Sequence, residues 1–252
     1  MTVSARYIGL FCGVLLLFGV GGCSHGTSAK KKGEYHYQMG LSNLGEGNPT
    51  GALIAFTEAE KYDPDNPDLQ NYLGLAYLGK GRADLAESRF LRALALRPAF
   101  SDARNNLGVC YLELKRWDDA IIQFKQVTDD LFYQNQESAT INLGLAYLGK
   151  GDYPKALSLI RSVVAANPAN AKAHFNLGRI YVVLDKNDLA TVSYRRAIEL
   201  NPDYVAARYQ LALLFLKNKD GSGAREQFEE VVRIAPDSEL GQLAREQLDL
   251  LK

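Results

Sequence analysis

Two periods run through the apolar positions of this chain. The short one is helical: a leucine, a small residue and an aromatic fall at i, i+1 and i+4 in segment after segment, which places one apolar stripe on a helix. The long one is set by the string LGLAYLGKG, which occurs at Leu73 to Gly81 and again, letter for letter, at Leu143 to Gly151. Such recurrence marks one structural unit used repeatedly. Aligned on the leading pair, the copies are Met39-Gly40, Leu73-Gly74, Leu107-Gly108, Leu143-Gly144, Leu177-Gly178 and Leu211-Ala212, spaced by 34, 34, 36, 34 and 34 residues. The residue four further on is Tyr77, Tyr111, Tyr147, Tyr181 or Phe215, with Asn43 in the first copy. Later in each copy comes an alanine (Ala52, Ala86, Ala120, Ala156, Ala190, Ala224), then a bulky residue (Phe56, Phe90, Phe124, Ile160, Tyr194, Phe228). Proline closes five of the six units, at Pro64, Pro98, Pro168, Pro202 and Pro236.

These positions predict two helices per unit. A turn at Gly79 to Gly81, Gly149 to Gly151 or Lys186 to Asn187 separates them, and the proline ends the second. The glycine of the first helix admits a close neighbour, expected to be the alanine of the second. One hairpin cannot bury its own apolar face, so the units must stack.

The pattern of Leu-Gly, Tyr, Ala, Phe and Pro over 34 residues resembles the tetratricopeptide repeat (TPR). The resemblance implies an all-α, right-handed superhelical solenoid of six hairpins, over approximately 33–66, 67–100, 101–136, 137–170, 171–204 and 205–238. A capping helix over 239–252 would carry Leu240, Leu243, Leu248 and Leu251 at helical spacing. Unit three departs from the pattern. It lacks its proline and gains two residues around Leu131, Phe132 and Tyr133. That corner is either a specialised contact site or a lengthened helix packing Leu131 and Phe132 into the core.

In TPR folds the first helices line the concave face. Carried onto this sequence, the groove positions are Leu41, Leu44, Leu75, Leu78, Val109, Leu112, Leu145, Leu148, Arg179, Val182, Leu213 and Leu216, with Tyr37, Asn71, Asn105, Ile141, Phe175 and Tyr209 at a further position. A mostly apolar groove suits an amphipathic helix or an extended apolar segment of a protein partner. The lysine and asparagine set by which some TPR modules grip a C-terminal carboxylate is not matched here. Asn106, Asn142 and Asn176, each just before the leucine, are candidates for a polar ladder between neighbouring first helices.

The start of the chain changes the picture. Arg6 is followed by an apolar run from Ile8 to Val20. As a helix that run spans about 20 Å, short of the roughly 30 Å of a bilayer core, which favours a signal peptide over residues 1–22. Val20-Gly21-Gly22-Cys23 is similar to a bacterial lipobox, which implies lipidation at Cys23 and stable anchoring by several acyl chains. Ser24 in place of aspartate implies sorting to the outer membrane. Residues 23–32, with Lys30, Lys31 and Lys32, are expected to form a flexible tether.

Little suggests chemistry. The 29 basic and 29 acidic side chains cancel, which removes any global electrostatic case for nucleic acid. Cys110 is expected to be an inert core thiol. His36 and His174 occupy the same place in two units, which points to structure before catalysis, and no catalytic or metal-ligating constellation stands out. Neither an enzyme, a cofactor, a metal nor a small-molecule substrate is expected.

A narrower resemblance rests on NNLGVCYLELKRWDDAIIQF, the Asp-Asp-Leu-Phe-Tyr corner and INLGLAYLGKGDYPKAL. These are similar to the type IV pilus biogenesis and stability lipoproteins, the pilotins of the pilus secretin. That family's role implies a partner in the secretin, bound through the repeat surface at the periplasmic side of the outer membrane. The alternative is a TPR lipoprotein adaptor for peptidoglycan hydrolases or exopolysaccharide export.

Overall fold

The computed structural model describes the backbone of residues 23–251 and the side chains of residues 28–251. The expected signal peptide and the side chain of Cys23 lie outside the described residues. Within them the chain forms helices and no strand. The helices are α1 (Cys23–Gly45), α2 (Pro49–Glu60), α3 (Pro67–Gly79), α4 (Ala83–Leu96), α5 (Ser101–Glu113), α6 (Trp117–Thr128), α7 (Gln136–Lys150), α8 (Tyr153–Ala166), α9 (Ala171–Val183), α10 (Asn187–Leu200), α11 (Val205–Lys217), α12 (Gly221–Ile234) and α13 (Glu239–Leu250). Odd-numbered helices up to α11 open the six hairpins and even-numbered ones close them. The last, α13, lies on α12 with Leu240, Leu243, Leu248 and Leu251 against the core, as expected of a cap.

The hairpins hold together through one contact repeated down the stack. A Cβ added at Gly74 would lie 2.4 Å from the Phe90 ring, and one added at Gly40, Gly108 or Gly178 would meet Phe56, Phe124 or Tyr194 as closely. The residue over the glycine is thus the bulky one, not the alanine the sequence suggested. The six alanines are fully buried alongside. Each ring is withdrawn from water, a gain of about 1.5–3 kcal/mol apiece.

Both helix ends repeat as well. Each first helix stops at a residue of positive φ: Gly47 (70°), Gly81 (68°), Lys115 (56°), Gly151 (87°), Asp185 (53°) and Lys219 (62°). One residue on, a backbone N–H returns to the carbonyl of the aromatic position, as from Arg82 to Tyr77 and Arg116 to Tyr111, at 2.8–2.9 Å in all six units. This is a Schellman closure. Its pivot in unit five is Asp185, one residue before the turn the sequence suggested. Each second helix of units two, four, five and six ends at a residue directly before proline that has left the helical region, with φ between −136° and −141°: Arg97, Asn167, Asn201 and Ala235. In unit three, with no proline following, Asp129 keeps helical angles and the chain turns differently.

The expected tether over residues 23–32 is helical instead, continuous with the packed part of α1. Gly33 seats the helix against Tyr62. Ala29 and the three lysines after it are good helix formers, so the helix extends from that contact with its lysines in solvent.

Two outcomes follow. Lys115→Gly relieves a left-handed lysine and is expected to raise stability by up to about 1 kcal/mol, whereas Gly81→Ala lowers it by a similar amount. Gly74→Ala drives a methyl into a rigid ring and costs about 1–3 kcal/mol, while Gly144→Ala, which meets only the flexible end of Ile160 at 2.8 Å, costs less. Urea unfolding of the four variants checks both.

Candidate functional site

The two helix layers of the stack are spaced unequally. First helices touch along the stack, α1 with α3, α3 with α5, α5 with α7 and α7 with α9, whereas no pair of second helices packs to that extent. The face lined by first helices is therefore the inner one.

The structure brings the sequence-predicted residues to this layer but buries much of them. Leu41, Leu44, Leu75, Leu78, Val109, Leu112, Leu145, Leu148, Val182, Leu213 and Leu216 are half-buried, wedged between first helices and packed on the core. Ile141, Asn71 and Tyr209 are buried outright, and Arg179 is exposed. Tyr37 packs edge-on against Tyr72 at 5.9 Å, and burial pushes its hydroxyl up to about 12. Phe175 lies 5.0 Å from the Tyr204 ring. The trough is accordingly shallow, with apolar edges rather than apolar walls. Leu78 and Val109, from adjacent units, share a hollow of about 310 Å³ with Ala83, Leu114, Asp84 and Glu113. Arg82 holds the Asp84 carboxylate at 2.9 and 2.8 Å, so the acidic charge at the rim of this greasy notch is that of Glu113.

The polar ladder forms in part. Asn106 donates to Asn71 Oδ1 (2.9 Å) and Asn142 to Asn105 Oδ1 (3.3 Å), each tying a first helix to the one before. The third rung fails for a chemical reason. The position facing Asn176 in unit four is Ile141, so Asn176 bonds its own helix at the Lys172 carbonyl (2.8 Å) and accepts from Arg179 (3.1 Å).

At the unit-three corner the structure overturns the lengthened helix with Leu131 and Phe132 in the core. The helix is not lengthened, since α6 stops at Thr128, and Leu131 and Phe132 stand 88% and 94% exposed. Only Tyr133 turns inward. The turn is braced. Asp130 accepts from the Ser101 hydroxyl (2.5 Å) and the Phe132 N–H (3.0 Å), bonds that hold its carboxyl below the usual range. The Tyr133 N–H reaches the Asp130 carbonyl (3.1 Å), which also accepts from Gln136.

That last bond belongs to a set the sequence did not disclose. The side chains of Gln70, Arg104, His174 and Arg208 each bond the carbonyl of the proline six residues earlier. His174 therefore shares a structural task with a glutamine and two arginines, which are too unlike one another to be found by residue type. Its counterpart His36 stacks on Tyr62. Cys110 is fully buried with its Sγ–H on the Ala83 carbonyl (3.1 Å), and burial pushes its thiol up to about 11. Among the described residues no group of three or more His, Cys, Asp or Glu could hold a metal, and no helix is long and apolar enough to cross a membrane. A polar hollow of about 480 Å³ lies between α10, α11 and α12, lined by Arg195, Arg208, Phe215, Asp220 and Glu226. Its residues come from three helices, which hid it from any local motif.

A tetratricopeptide repeat profile matches residues 37–88, 75–130 and 141–191, and two further repeat profiles match 178–219 and 206–238. Among curated proteins, DnaJ homolog subfamily C member 3 of Rattus norvegicus is 29% identical over 136 residues, which are 51% of this chain and 27% of that protein. The peroxisomal targeting signal receptor of Saccharomyces cerevisiae is 31% identical over 91 residues, 36% of this chain and 15% of that protein. The chain thus spans about a quarter or less of the length of these relatives. Among solved structures, PilW, a widely conserved type IV pilus biogenesis factor, is similar with a TM-score of 0.72 at 19% identity, over 84% of this chain and 98% of PilW. PilF of Pseudomonas aeruginosa gives 0.65 at 19% identity, over 87% of this chain and 99% of PilF. At that identity the likeness is one of fold. The first profile alone covers more than half of the sequence, and the chain belongs to the tetratricopeptide repeat family.

Proposed function

We propose that this protein is a lipid-anchored, non-enzymatic docking platform at the periplasmic face of the bacterial outer membrane, serving type IV pilus biogenesis by binding secretin subunits and assisting their localisation and assembly. The observation that carries this is the extent of the structural likeness. PilW and PilF are matched over 98% and 99% of their own lengths, so the likeness takes in nearly the whole of each and not a shared fragment. Val20-Gly21-Gly22-Cys23 adds the anchor. Acyl chains at Cys23 would confine the repeats to the membrane surface. The inner face would supply recognition, with the Leu78–Val109 notch taking an apolar side chain and Glu113 at its rim favouring a basic neighbour.

The test is capture of the secretin from detergent-solubilised envelopes. Leu78→Asp combined with Val109→Asp is expected to lower secretin recovery by about tenfold or more, the scale of a lost interface anchor, with helicity by circular dichroism retained. Cys23→Ser is expected to move the protein from the membrane to the soluble periplasmic fraction. Unchanged recovery would overturn the groove, and recovery of peptidoglycan hydrolases or export proteins in place of secretin would replace the pilus role with an adaptor role.

A further inference from the structure

The α6–α7 corner is built to display what other loops conceal. Elsewhere the aromatic residues between units lie against neighbours: Tyr62 is stacked on His36 though partly exposed, Phe100 is buried under the Arg97 guanidinium, 4.5 Å from its ring, and Tyr204 lies on Phe175. Leu131 and Phe132 are the most exposed of the large apolar side chains among the described residues. They sit on a turn fixed by the Ser101, Phe132, Tyr133 and Gln136 bonds to Asp130, so their exposure is not that of a slack loop. A rigid apolar projection loses little conformational entropy on binding, which is what an interface anchor requires.

The surroundings restrict what it can meet. Phe132 forms one wall of a hollow of about 340 Å³ shared with Ser101, Asp102, Asp130, Tyr133, Gln134 and Asn135. Arg97 also lines it, but both terminal nitrogens of that guanidinium are held by Asp68 at 3.1 and 2.6 Å. The Asp130 carboxylate is turned inward on Ser101, whereas Asp102, although it takes a hydrogen bond from the Tyr133 hydroxyl, is exposed, as is Asp129 at the end of α6. The apolar tip is thus set in acidic ground. An anionic lipid surface is repelled there, and a cation entering the hollow would meet the Asp102 carboxylate beside the apolar Phe132 side chain.

We propose that this corner is a docking finger for a protein segment in which apolar residues flank a lysine or arginine, with Leu131 and Phe132 entering the apolar part and Asp102 pairing with the cation. It goes beyond the groove function: secretin capture that depends on Leu78 and Val109 stands or falls without it.

The test uses the full chain in its own envelope, with Phe132→p-benzoylphenylalanine as photocrosslinker and Ile54→p-benzoylphenylalanine as an exposed control on a second helix. Irradiation is expected to give one discrete protein adduct from position 132 and none from 54, mapping to a segment with apolar residues beside a lysine or arginine. A synthetic peptide of that segment should bind the lipid-free protein, with affinity lowered about tenfold by Asp102→Lys and by Leu131→Ser with Phe132→Ser, and lowered by salt. Because these side chains are exposed, unchanged thermal melts separate lost binding from lost fold. An adduct to lipid alone, to a second copy of this chain, to a segment without a basic residue, or at both positions alike overturns the proposal. So does peptide binding indifferent to Asp102→Lys.

Discussion

The close approach of paired helices is the constraint on which everything else rests. A side chain at Gly74 would occupy the space of the Phe90 ring, and the same geometry recurs at Gly40, Gly108 and Gly178. Each ring is sealed from water, and neighbouring units share in the sealing, as where Tyr72 of the second unit stacks on Phe56 of the first at 5.8 Å. The remaining apolar surface is then available to neighbours, and the Schellman turns and pre-proline residues deliver the chain to the next pair in the same orientation each time.

Packing and recognition share a cause. Successive first helices draw together and second helices do not. The leucines on the first helices therefore serve both as mortar between units and as edges of a trough. Electrostatics follow the same economy. Lys150 pairs with Asp118 in the first turn of α6, and Lys217 with Asp185 in the turn before α10, each linking the end of a first helix to the unit before. These pairs are solvent-exposed, worth little individually, and act mainly to favour one register.

Much of this was legible in the amino-acid order. Spacing gave the hairpins, the cap and the site of irregularity, since periodic residues report on contacts that recur. It could not say which of two buried partners faces Gly74, because Ala86 and Phe90 occur with equal regularity; only the built helix pair decides. The leucines at the groove positions could be counted but not apportioned, as half-burial depends on how closely neighbouring first helices settle. The corner was marked by a missing proline and two extra residues, yet its outward display of Leu131 and Phe132 depends on Asp130, whose bonds to Ser101 and Gln136 leave no periodic signature. The helical start of α1 was missed because lysine-rich segments read equally as linkers until Gly33 and Tyr62 are seen in contact.

The apolar interior is not continuous. Phe56, Leu69, Leu73 and their neighbours form a cluster apart from the larger one that runs from Ala86 to Ala244. A stack divided in this way comes apart in stages. The outermost turns at the amino-terminal end can open at the expense of their own small cluster while the remainder stays shut. The first hairpin is therefore the part that yields most cheaply under load, a compliant end on a stiffer body.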